Sequence, residues 1–125
     1  MTINVALIGA GGMGKRHANG YLELKNYFSD LNIIAVCDIH ESVAKSVADY
    51  IYDKDKKRPQ VFTDIDKIFS LKNLDAIDIA TSTPMHHELA VNAMQNGFHV
   101  ITEKPIAITI KAANKMKDVS VATNK

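Results

Sequence analysis

The chain has 125 residues, 46% of them hydrophobic and 23% charged, which is enough for one globular domain with a real core. A formal net charge of +1 gives no reason to expect nucleic acid or a membrane surface as partner, and no stretch approaches the roughly 20 apolar residues of a membrane helix. One cysteine, Cys37, excludes an internal disulfide framework, and Met1 to Ala10 lacks the length and basic start of a signal peptide, so a cytoplasmic protein is expected.

The first predicted element is a strand from Ile3 to Ile8, short, nearly all apolar and rich in β-branched residues, as suits a strand covered on both faces. It runs into Gly9, Gly11 and Gly14, the glycines of a G-x-G-x-x-G, with Gly12 and Met13 inside the motif. A helix is predicted from about Gly12 to Phe28. Strand, glycine turn and helix together make a dinucleotide-binding hypothesis of a motif that is weak alone. Gly9 would permit the sharp turn, Gly11 the approach of a pyrophosphate to the backbone, and Gly14 close packing of helix on strand. The helix start would face the phosphates. On the helix, Met13, His17, Tyr21 and Leu24 form the expected buried stripe. His17 reads as a packed histidine rather than a ligand, and Lys15 and Arg16 are either phosphate neighbours or a solvated basic pair.

Leu31 to Cys37 is the second strand, where Cys37 reads as a buried inert thiol. Asp38 follows at its C-terminal end, 24 residues past Gly14, near the spacing of about 20 at which an acid accepts hydrogen bonds from the adenosine ribose. Its charge would repel a 2′-phosphate, so NAD is expected before NADP. The alternative is that Asp38 merely caps the next helix, Glu41 to about Lys54. Gln60–Phe62 is a third strand. Thr63 is the expected N-cap of a short helix buried by Ile65, Ile68 and Phe69.

Asp75 to Ala80 is the fourth strand, expected beside the first across the switch point of a doubly wound sheet. The following Thr81, Ser82 and Thr83 would then line the cofactor crevice, or with Pro84 start a helix that runs to Asn96 and ends at Gly97. His86 and His87, adjacent on that helix, cannot both face one ion, and no metal site is expected. Phe98 to Ile101 is the fifth strand. It delivers Glu103, Lys104 and Pro105 to the carboxyl edge of the sheet, where charged residues face the ligand crevice. A last helix covers about Ile108 to Val119. The fold class is therefore α/β, a doubly wound parallel-sheet Rossmann domain over residues 1–125.

These motifs together resemble the N-terminal domain of the Gfo/Idh/MocA oxidoreductase family. The resemblance rests on Gly9 to Gly14, on Asp38, on the run Ala80 to His86 and on Gly97 to Pro105. The run Ala80 to His86 is similar to A-T-P-N-x-x-H, with Ser82 and Thr83 replacing its proline and asparagine. Gly97 to Pro105 is similar to G-K-H-V-x-x-E-K-P, with Phe98 for the lysine. The resemblance implies a cofactor, NAD or NADP, and oxidation or reduction of a secondary alcohol on a sugar, inositol or related polyol. It implies Lys104 as the substrate-contacting, proton-handling residue, Glu103 and Pro105 at the nicotinamide end, and Thr81 and His86 as matched positions at the cofactor. It also implies a second α/β domain with the catalytic histidine and an oligomer interface. That domain is absent from these residues, so the chain is expected to be the cofactor part of a longer, homo-oligomeric enzyme, with little turnover by itself. The alternative is a free-standing NAD-binding module, a regulator or a subunit completed by another chain.

Overall fold

The computed structural model describes residues 1–125. Five strands, β1 Ile3–Ile8, β2 Leu31–Cys37, β3 Gln60–Phe62, β4 Ala76–Ile79 and β5 His99–Thr102, form one parallel sheet in the order β3-β2-β1-β4-β5. Helices α1 Gly12–Leu24, α2 Glu41–Asp55, α3 Ile65–Phe69, α4 His86–Gln95 and α5 Ile110–Thr123 fill the crossovers and the C-terminal end. This is the doubly wound Rossmann architecture expected. The strand order reverses between β1 and β4, and the loops after their C-terminal ends flank that point. No helix is long and apolar enough to cross a membrane.

Alternation along β1 builds the two halves of the core. Ala6 and Ile8 point to one side, where they pack with Ile77, Ile79, Ala90, Met94 and Phe98. Leu7 points to the other, with Ala18, Val36, Val47 and Ile51. Phe98 and Phe69 stack with ring centroids 6.1 Å apart. No buried side-chain nitrogen or oxygen lacks a hydrogen-bond partner.

Several expected boundaries and faces move. α1 ends at Leu24 instead of Phe28, and Met13 and Leu24 are 41% and 44% exposed. The buried face is instead Gly14 and Ala18, with Tyr21 and Leu22 partly covered. Small residues win here because the helix lies almost on the glycine turn. A Cβ at Gly14 would fall 2.0 Å from the carbonyl oxygen of Gly9. The cap of α3 is Asp64, not Thr63, and its carboxylate accepts from the Asp66 N–H at 3.0 Å. The expected helix from Pro84 begins as a 3₁₀ turn, Thr83–Met85, before α4. α5 starts two residues later than expected because the Thr109 hydroxyl caps it, accepting from the Ala112 N–H at 3.1 Å, and it runs on to Thr123.

Candidate cofactor-binding site

The site begins with backbone. Gly9 has φ +90°, a conformation that favours glycine, and its N–H donates to the Cys37 carbonyl at 2.8 Å. A Cβ there would lie 2.7 Å from the Ala80 carbonyl, so the turn also sets how closely β1 approaches the loop after β4. Gly11, the N-cap of α1, makes no side-chain capping bond, and nothing lies within 4 Å of where its Cβ would be. The same open space surrounds Gly12. The first N–H groups of α1 have no intrahelical partner by construction, and the helix dipole adds partial positive charge. Open space over donor groups of this kind fits a diphosphate.

Asp38 stands at the end of β2. One carboxylate oxygen accepts from the Ala10 N–H at 2.8 Å, the other from the His40 N–H at 2.9 Å. The N-cap of α2 is His40, so Asp38 is not the helix cap. Its carboxylate instead straddles the glycine turn and the start of the next crossover. Beside it opens a cleft of about 460 Å³, bordered by Gly9, Ile39, Asp64, Thr81, Ser82 and Met85. Cys37 also lines the cleft, but burial, then the charges of Asp38 and Asp64, push its thiol up to about 11, which leaves it protonated and unreactive.

Across the switch point the site is made by side chains. Asp78, in the middle of β4, is 1% exposed. It alternates away from Ile77 and Ile79 onto the face that α1 covers. The Tyr21 hydroxyl donates to it at 2.8 Å, and His17 Nδ1 lies 2.9 Å from its Oδ2. The other ring nitrogen of His17, Nε2, lies 2.8 Å from Glu103 Oε1. Glu103 Oε2 accepts from the Lys104 N–H at 3.1 Å. Burial, with the charge and hydrogen bond of Asp78, raises the Tyr21 hydroxyl pKa far above its usual range.

His86 makes a second tie. It is 1% exposed, with Nδ1 2.8 Å from the Pro105 carbonyl and Nε2 3.0 Å from the Thr81 carbonyl. Both ring nitrogens therefore face protein, and the residue stands between the two loops instead of on the surface of the crevice. Thr81 and Thr83 are half-buried, while Ser82 and Lys104 are exposed. The structure thus gathers Gly9, Asp38, Thr81 and Ser82 around one cleft, while Gly11 and Gly12 line a separate hollow beside Ala10, Lys15 and Ser42. Glu103, Lys104 and Pro105 follow the C-terminal end of β5, and Met13 is 41% exposed. Asp78 has no place in the sequence-based expectation, and Tyr21 stands there only as a member of the buried stripe. The available signal was a carboxylate at an inward position of an apolar strand, which requires a buried partner.

Comparison with known proteins gives a consistent result. The glycosyl hydrolase family 109 protein 1 of Shewanella sp. (strain MR-4) is 30% identical over 127 residues, covering 98% of this chain and 27% of the relative. The WlbA dehydrogenase of Chromobacterium violaceum, solved with NADH and UDP-GlcNAcA, shares the fold with a TM-score of 0.86 at 22% identity, over 99% of this chain and 33% of that one. The myo-inositol 2-dehydrogenase of Lactobacillus plantarum superposes with a TM-score of 0.79 at 25% identity, over 98% and 34%. The chain therefore spans about a quarter to a third of the length of such relatives. The family model described as "Oxidoreductase family, NAD-binding Rossmann fold" matches residues 3–125. With the glycine turn, Asp38 and the Glu103-Lys104-Pro105 loop, that match establishes that the chain belongs to the Gfo/Idh/MocA oxidoreductase family and forms its NAD-binding Rossmann domain.

Proposed function

We propose that this chain is the cofactor-holding part of a two-domain, NAD-dependent oxidoreductase that acts on a secondary alcohol of a sugar, inositol or related polyol. The observation that carries the cofactor preference is the Asp38 carboxylate, pinned by two backbone N–H groups at the rim of the cleft. A carboxylate so placed accepts from ribose hydroxyls and repels a 2′-phosphate, which favours NAD over NADP. Gly11, Gly12 and the start of α1 would hold the diphosphate, and Thr81 and Ser82 would border it from the β4 side. When bound, the nicotinamide supplies hydride transfer, which is the cofactor's own chemistry. Lys104, exposed at the β5 edge, would hold the alcohol oxygen and move its proton. Glu103 is already bonded to His17 and the Lys104 N–H, so it serves that loop and is not a free base. The remaining substrate contacts would come from a further domain.

A second reading is supported by the 30% identical relatives. They include an alpha-N-acetylgalactosaminidase of Shewanella oneidensis as well as the family 109 glycosyl hydrolases. Glycosidases that depend on NAD are known, so the same cofactor site would serve net hydrolysis.

The test is a fluorescence titration of the chain with NADH and NADPH. NADH is expected to bind more tightly, and Asp38→Ala to narrow that preference by about tenfold, the loss of one charge-assisted hydrogen bond. An unchanged ratio would remove Asp38 from ribose recognition. Assays of the longer protein then divide the two readings. Net NAD⁺ reduction with a polyol supports the dehydrogenase, and release of nitrophenol from a nitrophenyl N-acetylgalactosaminide without net reduction supports the hydrolase.

A further inference from the structure

We propose that His17 is a positioning residue for Lys104: its ring bridges Asp78 and Glu103 as an imidazolium, and Glu103 in turn holds the Lys104 backbone at the crevice. The proposal rests on the reading of Lys104 as the proton-handling group. The geometry is specific. Nδ1 lies 2.9 Å from Asp78 Oδ2 and Nε2 lies 2.8 Å from Glu103 Oε1. Both partners are carboxylates, which accept and cannot donate when ionised, so only a ring protonated on both nitrogens satisfies both. The side chains of His17, Asp78 and Glu103 are 20%, 2% and 19% exposed, so the bridge spans from the buried sheet to the rim of the site. It joins three elements distant in sequence: α1, β4 and the loop after β5.

The groups that face His17 are Asp78 from β4 and Glu103 from the loop after β5, with Tyr21 of α1 bonded to the same Asp78. Burial, the largest single influence on the ring, pulls its pKa down, but the hydrogen bonds and charges of Asp78 and Glu103 together raise it above the ordinary 6.5. Glu103 is held below its ordinary 4.5, first by the His17 hydrogen bond and then by the Lys104 N–H. The signs define a window. The His17 contribution is complete below 6.5 and is lost as pH rises through the raised value. The Glu103 contribution is complete above 4.5 and is lost as pH falls through the lowered value. The bridge is whole between the two, and alkali releases Lys104 by neutralising His17.

The test is an NMR titration of the chain, following the His17 ring nitrogens, the Glu103 side-chain carboxyl carbon and the Lys104 amide together. Both His17 nitrogens are expected to be protonated beyond pH 6.5, with the Lys104 amide and Glu103 carboxyl shifting at the same midpoint. His17→Gln should abolish that shared inflection, and Glu103→Gln should lower the His17 midpoint. A purely structural histidine would leave the Lys104 amide silent. A His17 midpoint at or below 6.5, or a Lys104 amide that does not follow it, would overturn the proposal. If His17→Gln does not fold, the wild-type titration and Glu103→Gln decide the matter. An NADH titration in parallel separates the two claims. Shared inflections without NADH binding would sink the cofactor reading and leave the bridge standing, whereas NADH binding with a silent Lys104 would do the reverse.

Discussion

The two sides of the crevice are built from different material. Around the end of β1 and the glycine turn that starts α1, the site is backbone. Gly9 turns, Gly14 packs and Gly11 leaves space, and the only side chain proposed to bind there is Asp38, itself held by two N–H groups. Where the body of α1 meets β4 and the loop after β5, the site is side chain. His17, Tyr21 and Asp78 share a buried network that reaches Glu103, and His86 ties Thr81 to Pro105. A backbone site tolerates almost no added atoms but has nothing to titrate. A side-chain site accepts changes of shape but depends on protonation and on every partner being present.

The sharpest way to break the backbone side is Gly14→Ala. Its Cβ would meet the Gly9 carbonyl oxygen at 2.0 Å, and backbone on both sides leaves little room to yield. Destabilisation of about 3 kcal/mol or more is expected by urea denaturation, the upper end of overpacking costs. A near-neutral result would mean that helix and turn can separate. On the side-chain side, Tyr21→Phe removes one of the donors to the buried Asp78 carboxylate. A loss of about 2 kcal/mol in the same assay is expected, because a charged acceptor is left short of a partner and His17 remains. Equal stability of the variant would show that water replaces the hydroxyl. Gly11→Val should change stability least, by within about 1 kcal/mol, since open space surrounds the position and only the N-cap preference is lost. It should nonetheless abolish NADH binding by filling the diphosphate's place. Tight binding by a folded Gly11→Val protein would remove the glycine turn from the cofactor site.

The same division decides what the sequence could reveal. Glycines forced by φ or by close approach leave a spaced signature, so the turn, the five strands and the position of Asp38 were legible from pattern alone. The network around Asp78 leaves no spacing, because its members come from α1, β4 and the loop after β5 and meet only through tertiary packing. The expected buried stripe puts His17, as a packed histidine, and Tyr21 on an inward face of α1 beside Met13 and Leu24, but names no partner for either. Both meet the Asp78 carboxylate, 61 residues from His17 and 57 from Tyr21 in sequence. Boundaries went astray where a side chain competes locally for backbone. Asp64 in place of Thr63, and Thr109 at the start of α5, captured N–H groups that periodicity does not see. His86 carried a motif position without revealing that its ring would face two carbonyls of the protein itself.

The bond from the Ala10 N–H to Asp38 has a consequence for redesign of cofactor choice. If Asp38 reads the ribose as proposed, an engineer seeking acceptance of a phosphorylated ribose would first remove this carboxylate. The same change cuts the strut between the glycine turn and the end of β2, so the variant would gain tolerance of the new ligand on a looser platform. A short hydroxyl residue such as serine, which keeps an acceptor at the position, is therefore a better starting point than alanine, and the basic group for the phosphate is better introduced elsewhere on the rim.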